Sequence, residues 1–433
     1  MSSLVIGVAI FILTYVLIIT EKIPHAYSAL IGGVLMVFFG VLNDEQAFHA
    51  IELEVIFLLI GMMIVVHIMS ETGIFQWVAI KLAQLVKGAP FPLLILLVII
   101  TAIFSAFLDN VTTILLIAPV SVVLADQLKI NPIPFLIAET MASNIGGTAT
   151  LIGDPPNILI GTAADIGFNE FLVNLGPLVV VNVIVLGITF WFMFGKKMSV
   201  SRELRAKIME LDPDRALTDK KVLIKSSIIM ACIIIGFLTH SITGIGPAII
   251  AFGGAVILII IVKKDPEEIF KTIEWKTLFF FMGLFMMVQG VVEVGAIKIL
   301  ADKALTLTGG SVKATSILIL WLSAIASAVI DNIPYTATLI PMIKDEMIPN
   351  LAKIHPEMAL NTIKYALWWS LSLGACFGGN GSLVGASANV VAASVAEKSG
   401  HPISFVQFLK YGVLITFETI VVSTAYMWFF YLN

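Results

Sequence analysis

The chain repeats itself. Glu52-Leu-Glu-Val-Ile-Phe-Leu-Leu-Ile-Gly61 lies 222 residues before Glu274-Trp-Lys-Thr-Leu-Phe-Phe-Phe-Met-Gly283, and the same offset pairs Glu71 with Glu293, Gly73 with Gly295, Asp109 with Asp331 and Pro119 with Pro341. After an insertion of ten residues, Gly146 to Gly153 and Asn157 match Gly378 to Gly385 and Asn389 at an offset of 232. Whatever this sequence folds into must hold two copies of one unit.

The medium of the fold follows from composition. Of 433 residues, 59% are hydrophobic and 12% charged, with a mean hydropathy of +1.04. Globular domains carry about 25% charged residues, so this is a polytopic membrane protein, expected to be all-α because its apolar stretches have the length of membrane-spanning helices. The net charge of −4 says little about partners, because the placement of charge is what orients a membrane protein. Cys232 and Cys376 both lie in apolar segments, which suggests neither a disulfide framework nor a thiolate metal site. Leu4 to Ile19 has the length of a signal peptide but no basic n-region and no clear cleavage site, so it reads as a retained first span.

Stretches long enough to cross a bilayer, near 20 residues, lie at about 2–20, 26–42, 55–72, 133–165, 171–195, 226–243, 246–262, 277–294, 365–396 and 405–432. Two regions break the pattern. Residues 93–108 and 111–125 form apolar arms of 16 and 15 residues joined at Asp109-Asn110, and 314–330 and 333–343 form similar arms joined at Asp331-Asn332. Short arms meeting at a polar tip suit re-entrant hairpins, since irregular backbone at membrane depth must be buried in protein or line a cavity.

The polar stretch 196–225 carries Lys196, Lys197, Arg202, Arg205, Lys207, Arg215, Lys220, Lys221 and Lys225, which marks it as cytoplasmic. It separates a first repeat, 1–195 (hairpin 91–125, broken helix 133–165), from a second, 226–433 (hairpin 314–348, broken helix 365–396). Five crossings and one hairpin per half force the second half to enter the membrane upside down. Loop charge agrees: Asn43 to Glu54 has acidic residues and no Lys or Arg, whereas Lys263 to Lys276 has four lysines. The loop 294–313, with Lys298, Lys303 and Lys313, should be outside and fits less well. Both termini are then extracytoplasmic in a multi-pass protein of the cell (inner or plasma) membrane. Inverted repeats are a recurring plan of secondary transporters, whose site lies midway through the membrane where broken helices meet.

Four polar breaks supply that site. The hairpin tips offer Asp109, Asn110, Thr112 and Thr113, and Asp331 and Asn332. The third and fourth breaks offer Asn144, Gly146, Gly147, Thr148, Asp154 and Asn157, and Gly378, Gly379, Asn380, Ser382 and Asn389. Carboxylates within membrane spans usually face a partner, a cavity or an ion pathway. Glycines let backbone approach a ligand or let helices pack closely, Pro155 and Pro156 suit a helix start, and Asn, Ser and Thr supply neutral donors and acceptors.

Phe107-Leu-Asp109-Asn110-Val-Thr-Thr with Pro119, and Ser143-Asn144-Ile-Gly-Gly-Thr-Ala-Thr-Leu-Ile-Gly-Asp154-Pro-Pro-Asn157, resemble the ion transporter superfamily. The resemblance covers essentially the whole chain and points to the branch of arsenite permeases, sodium–proton antiporters of the same type and the melanosomal P protein. It implies a scaffold domain, a mobile transport domain with two opposed hairpins, and alternating access by an elevator-like movement, often in a homodimer. In the dicarboxylate branch the tips carry Ser-Asn-Thr; here Asp109-Asn110-Val and Asp331-Asn332-Ile stand instead.

Charge argues the same way. Asp109, Asp154 and Asp331 converging on one cavity repel a di- or tricarboxylate strongly at low dielectric, and no Lys or Arg lies in the four breaks. Protons, cations or a neutral polyhydroxylated molecule such as arsenite fit better, with Asp109, Asp154 and Asp331 as proton carriers and Glu139 as a relay or a structural hydrogen bonder. His67 matches Gln289 across the repeat, which favours a neutral hydrogen-bonding role. Glu71 and Glu293 read as span-end anchors, and Glu418 has no assigned role. The expectation is a non-enzymatic secondary transporter driven by the proton motive force, exporting arsenite or antimonite in exchange for protons. Sodium–proton antiport is the alternative, and an anion carrier a more distant one. The expected partners are a small inorganic substrate with protons or sodium, the lipid bilayer, a second copy of the chain and an accessory ATPase; no cofactor, metal or nucleic acid is expected.

Overall fold

A computed structural model describes residues 3–20, 22–196 and 198–432, so Lys197 of the polar stretch lies outside the described residues. The first half holds α1 (Ser3–Thr20), α2 (His25–Phe38), α3 (Asp44–His49), α4 (Leu53–Ser70), α5 (Ile74–Leu85), α6 (Pro90–Phe107), α7 (Asn110–Leu128), α8 (Ile133–Gly147), α9 (Pro155–Ala164) and α10 (Phe168–Phe194). A linker with α11 (Arg202–Glu210) follows. The second half holds α12 (Lys220–Thr243), α13 (Pro247–Val262), α14 (Pro266–Phe270), α15 (Trp275–Glu293), α16 (Ala296–Leu307), α17 (Val312–Val329), α18 (Asn332–Pro341), α19 (Ile348–Ile354), α20 (Leu360–Gly378), α21 (Ser387–Lys398) and α22 (Phe405–Phe430). Every expected span is present as a helix or a broken helix pair. The second half begins with α12 at Lys220, inside the stretch read from sequence as linker.

The inversion is visible in which helices touch and which way they run. Lys264 at the end of α13 pairs with Glu71 at the end of α4 (2.8 Å), and Thr218 of the linker bonds the Glu71 carbonyl (2.7 Å). So α13 runs toward the linker face. Its counterpart α2 starts beside the start of α15, with the rings of His25 and Phe280 6.2 Å apart, and runs away from that face. The two pairs also pack at equivalent points. A Cβ on Gly61 of α4 would stand 2.6 Å from the Ala251 carbonyl carbon of α13, and one on Gly283 of α15 would stand 2.4 Å from that of Ala29 in α2. Both contacts obey the 222-residue offset. Small residues that let backbones touch are the usual means by which helices associate in lipid.

Nine helices among the described residues are long and apolar enough to cross a membrane, and three of them are hairpin arms, α6, α7 and α17. The arms therefore exceed the lengths read from their apolar runs, at 18, 19 and 18 residues. The reason is visible in α7. Asp126 and Gln127 ended the apolar run, but both are exposed and the helix continues through them to Leu128. The returning arm of the second hairpin runs from α18 through a π-helical turn at Met342–Met347 into α19, ending at Ile354 rather than near 348. Pro341 and Pro349 both lack the N–H that a regular ladder needs, and the ladder widens between them.

The hairpins enter from opposite faces. Arg205 of the linker bonds the Lys87 carbonyl at the base of α6 (2.9 Å). At the base of the second hairpin, His355 bonds the Gly310 carbonyl (2.8 Å). Inside, α7 packs on α21 of the other half and α18 packs on α9, a second exchanged pair. Around these, α2, α4, α13 and α15 form the scaffold, with α1 and α12 on its flanks.

Candidate transport site

Each polar tip is built as a helix start. Asp109 accepts from the Thr112 N–H (2.8 Å) and also bonds the Thr112 hydroxyl; Asp331 accepts from the Ile333 N–H (2.9 Å) and from the Ser387 hydroxyl (3.0 Å). A carboxylate at an N-cap satisfies an orphan amide and faces the positive helix end. The Asn beside each Asp then projects inward, with Asn110 and Asn332 almost fully buried.

The third and fourth breaks are held open by a repeated set of bonds. Ser105 donates to the Ser143 carbonyl and Ser327 to the Ala375 carbonyl, both at 2.6 Å. The Thr150 hydroxyl bonds the Ala106 carbonyl, and Ser382 bonds the Ala328 carbonyl at 2.6 Å. Asn157 Nδ2 donates to the carbonyls of Thr148 (3.1 Å) and Thr150 (2.9 Å); Asn389 Nδ2 donates to those of Gly379 (2.7 Å) and Ser382 (2.8 Å). These amides replace the helical ladder where the chain leaves it. Thr148 turns its hydroxyl back to the Asn144 carbonyl (2.9 Å).

The glycines serve packing. A Cβ on Gly146 would stand 2.2 Å from the Ala102 carbonyl oxygen, and one on Gly378 would stand 2.6 Å from that of Ala324. Gly147 and Gly379 close the two breaks against the carbonyls of Gly153 and Gly385.

The four breaks meet at one crossing. Asp154 is fully buried, and Asn110 Nδ2 (3.2 Å) and Asn332 Nδ2 (3.3 Å) both donate to its Oδ1, so one carboxylate joins the two hairpin tips. Asn110 Nδ2 also bonds Asn144 Oδ1 (3.0 Å), and Asn144 Nδ2 bonds Asn380 Oδ1 (2.9 Å) and Asn389 Oδ1 (3.0 Å). Among the described residues Asp154 has no ion pair, and Asn380 Nδ2 and the Thr113 hydroxyl are buried without a hydrogen-bond partner. Leaving such groups unmet costs about 1–3 kcal/mol each.

Three participants were not singled out in the sequence. The Cys376 thiol lies 3.6 Å from Asn157 Oδ1, Ser372 donates to that same oxygen (2.6 Å), and Ser387 reaches Asp331. The repeat offset carries the signal for the first, since Cys376 stands where Asn144 stands in the first half. Glu139 is placed elsewhere: it is buried, bonds the Ser121 hydroxyl of α7, and leaves Oε2 unpartnered. His67 and Gln289 prove equivalent in contact as well as position, His67 lying 3.6 Å from Glu71 and Gln289 bonding Glu293 (3.1 Å). Glu418 accepts from Thr189 (2.7 Å).

Access is unequal on the two sides. A cavity of about 470 Å³ lined by His25, Val111, Glu274, Asp331 and Ser387 reaches the second tip. On the opposite face a smaller cavity of about 210 Å³ is lined by Glu52, Leu159, Gln289, Ala337 and Lys344, and no tip residue lines it among the described residues. Glu52 and Ala337 are the repeat counterparts of Glu274 and Leu115, so the two cavities are images of each other.

Comparison with known proteins adds a lineage. A family model described as citrate transporter (CitMHS) matches residues 15–374. A 46 kDa membrane protein of Mycobacterium leprae is 41% identical over 99% of both chains. An uncharacterized transporter of Mycobacterium tuberculosis is 41% identical over 99% of this chain and 98% of its own. The P protein of Sus scrofa is 32% identical over 98% of this chain, which spans 59% of that protein. The crystal structure of the YdaH transporter of Alcanivorax borkumensis, described as having an unusual topology, is similar with a TM-score of 0.58 at 12% identity, over 92% of this chain and 90% of that one. At that identity the likeness speaks for the fold alone.

Proposed function

This chain belongs to the citrate transporter (CitMHS) family of membrane transporters, and from that premise we propose that it is a proton-driven exporter, exchanging arsenite or antimonite for protons. The observation that carries the reading is Asp154, fully buried, held by one amide from each hairpin and without an ion pair among the described residues. An isolated buried carboxylate is tolerated when a proton or a cation neutralises it, and the amides that hold it come from the residues next to Asp109 and Asp331. Citrate would bring its own negative charges into this acidic crossing, and like charges at short range in low dielectric repel strongly.

The spare donor on Asn380 favours a cargo with oxygens over a bare metal cation, which has no acceptor to offer it. Sodium–proton antiport is the second reading; the carbonyls and carboxylates of the breaks favour it. Cargo passes between faces as the hairpins and broken helices move against the scaffold, and the two mirror-image cavities support this movement. We extend the proposal to placement: the linker is cytoplasmic, both termini are outside, and the protein resides in the cell membrane. A homodimer and an accessory ATPase are carried from the resemblance alone.

Everted vesicles separate the readings. Energised vesicles should accumulate arsenite and lose it when the proton gradient is collapsed. Sodium-induced dequenching of a pH dye, with no arsenite uptake, would replace the first reading by the second.

A further inference from the structure

The two hairpin tips present a matched pair of amides to a single acceptor, and that acceptor belongs to the chain itself. Asn110 and Asn332 are repeat counterparts, so a ligand on the axis between them is reached from both sides. Asp154 Oδ1 occupies that place, at 3.2 Å and 3.3 Å. Yet Asp154 is not a product of the repeat: its counterpart is Ala386, and the chain turns the same corner there without a carboxylate. The backbone angles are φ −142°, ψ 132° at Asp154 and φ −150°, ψ 144° at Ala386.

Nor does Asp154 serve the helix it precedes. It stands at the N-cap of α9, where an Asp normally accepts from the first-turn amides, but its side chain makes no capping bond. The Pro155 and Pro156 start supplies α9 with two residues that have no N–H to satisfy. The carboxylate is left to the tips, with the Cys376 thiol also beside it.

We infer that the Asp154 side chain is a tethered carboxyl group filling a carboxylate site between the hairpin tips, and that it keeps free carboxylates out of that site. The inference rests on the crossing being the cargo site, as proposed above. Removing the side chain should leave two buried amides facing a gap the size of a carboxyl group. That gap should accept formate, whereas Asp154→Asn fills it with an amide and should not.

The test uses the purified full chain in lipid nanodiscs, with thermal unfolding followed against formate and chloride. For Asp154→Ala and Asp154→Ser a saturable rise in Tm is expected with formate, absent with chloride and absent in wild type and in Asp154→Asn. Folding of either variant only when formate is present would be the same result in a stricter form. Folded variants whose Tm ignores formate would overturn the inference. So would failure of both to fold even in formate while Asp154→Asn folds, because the side chain would then be needed for packing alone. The readout is binding, so it separates from the functional proposal: formate binding with wild-type transport in Asp154→Ala would keep the anion site and remove the crossing as the cargo site.

Discussion

Asn144 donates its amide to Asn389 at 3.0 Å, and this bond ties the broken helix of one half to that of the other. Its mirror image joins Cys376 to Asn157 at 3.6 Å, with a thiol in place of the amide. The crossing is thus symmetric in construction and asymmetric in chemistry.

Replacing the tip aspartates by asparagine isolates their charge from their structural use. Asn is as good an N-cap as Asp, so the bonds to Thr112 and Ile333 survive. Asp109→Asn and Asp331→Asn should express and unfold like wild type while losing coupled transport. A fall in Tm of several degrees in either would mean that the charge is structural.

Loss of the break-spanning amides should be costlier to the fold than loss of the crossing amides. Asn389→Ala strips two buried carbonyls of their donor, about 1–3 kcal/mol each, so a marked drop in Tm is expected. Asn380→Ala removes a side chain whose Nδ2 already lacks a partner, so it should weaken cargo affinity more than stability. Equal Tm losses in the two would contradict this ordering.

The scaffold contacts can be tested by a methyl group. Gly61→Ala and Gly283→Ala each drive a Cβ into facing backbone, and overpacking of this kind costs about 1–3 kcal/mol. Both should lower Tm, by similar amounts if the halves are equivalent. Tm values like wild type would mean that the paired helices separate freely.

A hydroxyl fastens the second hairpin to the scaffold flank. Tyr15 of α1 donates to the Pro334 carbonyl and meets the Thr338 hydroxyl, each at 2.6 Å. Its repeat counterpart is Phe237, which has no hydroxyl, so only this arrangement of the domains gains the bond. Removing it in Tyr15→Phe forfeits about 1 kcal/mol, roughly a fivefold shift in population. Labelling of a cysteine placed at Ser387, on the cavity that reaches Asp331, should slow accordingly. Unchanged labelling would show that the bond does not select this arrangement.

At the base of the second hairpin, His355 bonds both the Gly310 carbonyl and Glu357. The carbonyl first, and then Glu357, raise the His355 pKa, and bonding to its own backbone and to His355 lowers that of Glu357. A raised histidine stabilises at pH below its unfolded value and loses that contribution as pH rises through the folded one. A lowered glutamate contributes above its unfolded value and loses it as pH falls through the folded one. The loop should therefore be best ordered at mildly acidic pH. Amide exchange across 354–359, corrected for intrinsic rates, should quicken on going to alkaline pH, and a flat profile would rule the pair out as the cause.

Much of this architecture is legible in the sequence. The 222-residue offset, the odd number of crossings and the polar tips lead to inverted halves with opposed hairpins, and contacts such as Gly61 with Ala251 and Gly283 with Ala29 obey that offset. Other features are not legible, for physical reasons. Apolar run length underestimates the arms because Asp126 and Gln127 stay exposed at a helix end. The repeated spacing of the GG pairs does not say whether the glycines face a ligand or Ala102 and Ala324. The role of Tyr15 depends on a contact between residues 319 apart, which no local pattern announces. Asp154 is read from the sequence as a site carboxylate, but its place between the two tip amides depends on contacts 44 and 178 residues apart, which no local pattern announces.

The central claim is that protons and cargo share the crossing of the four breaks. Arsenite uptake into energised everted vesicles, measured for wild type and for the Asp109→Asn, Asp331→Asn double variant at matched expression, tests it most directly. Proton-dependent accumulation is expected in wild type and none in the variant. Accumulation in the variant that still collapses with the proton gradient would place the coupled protons elsewhere and contradict the claim.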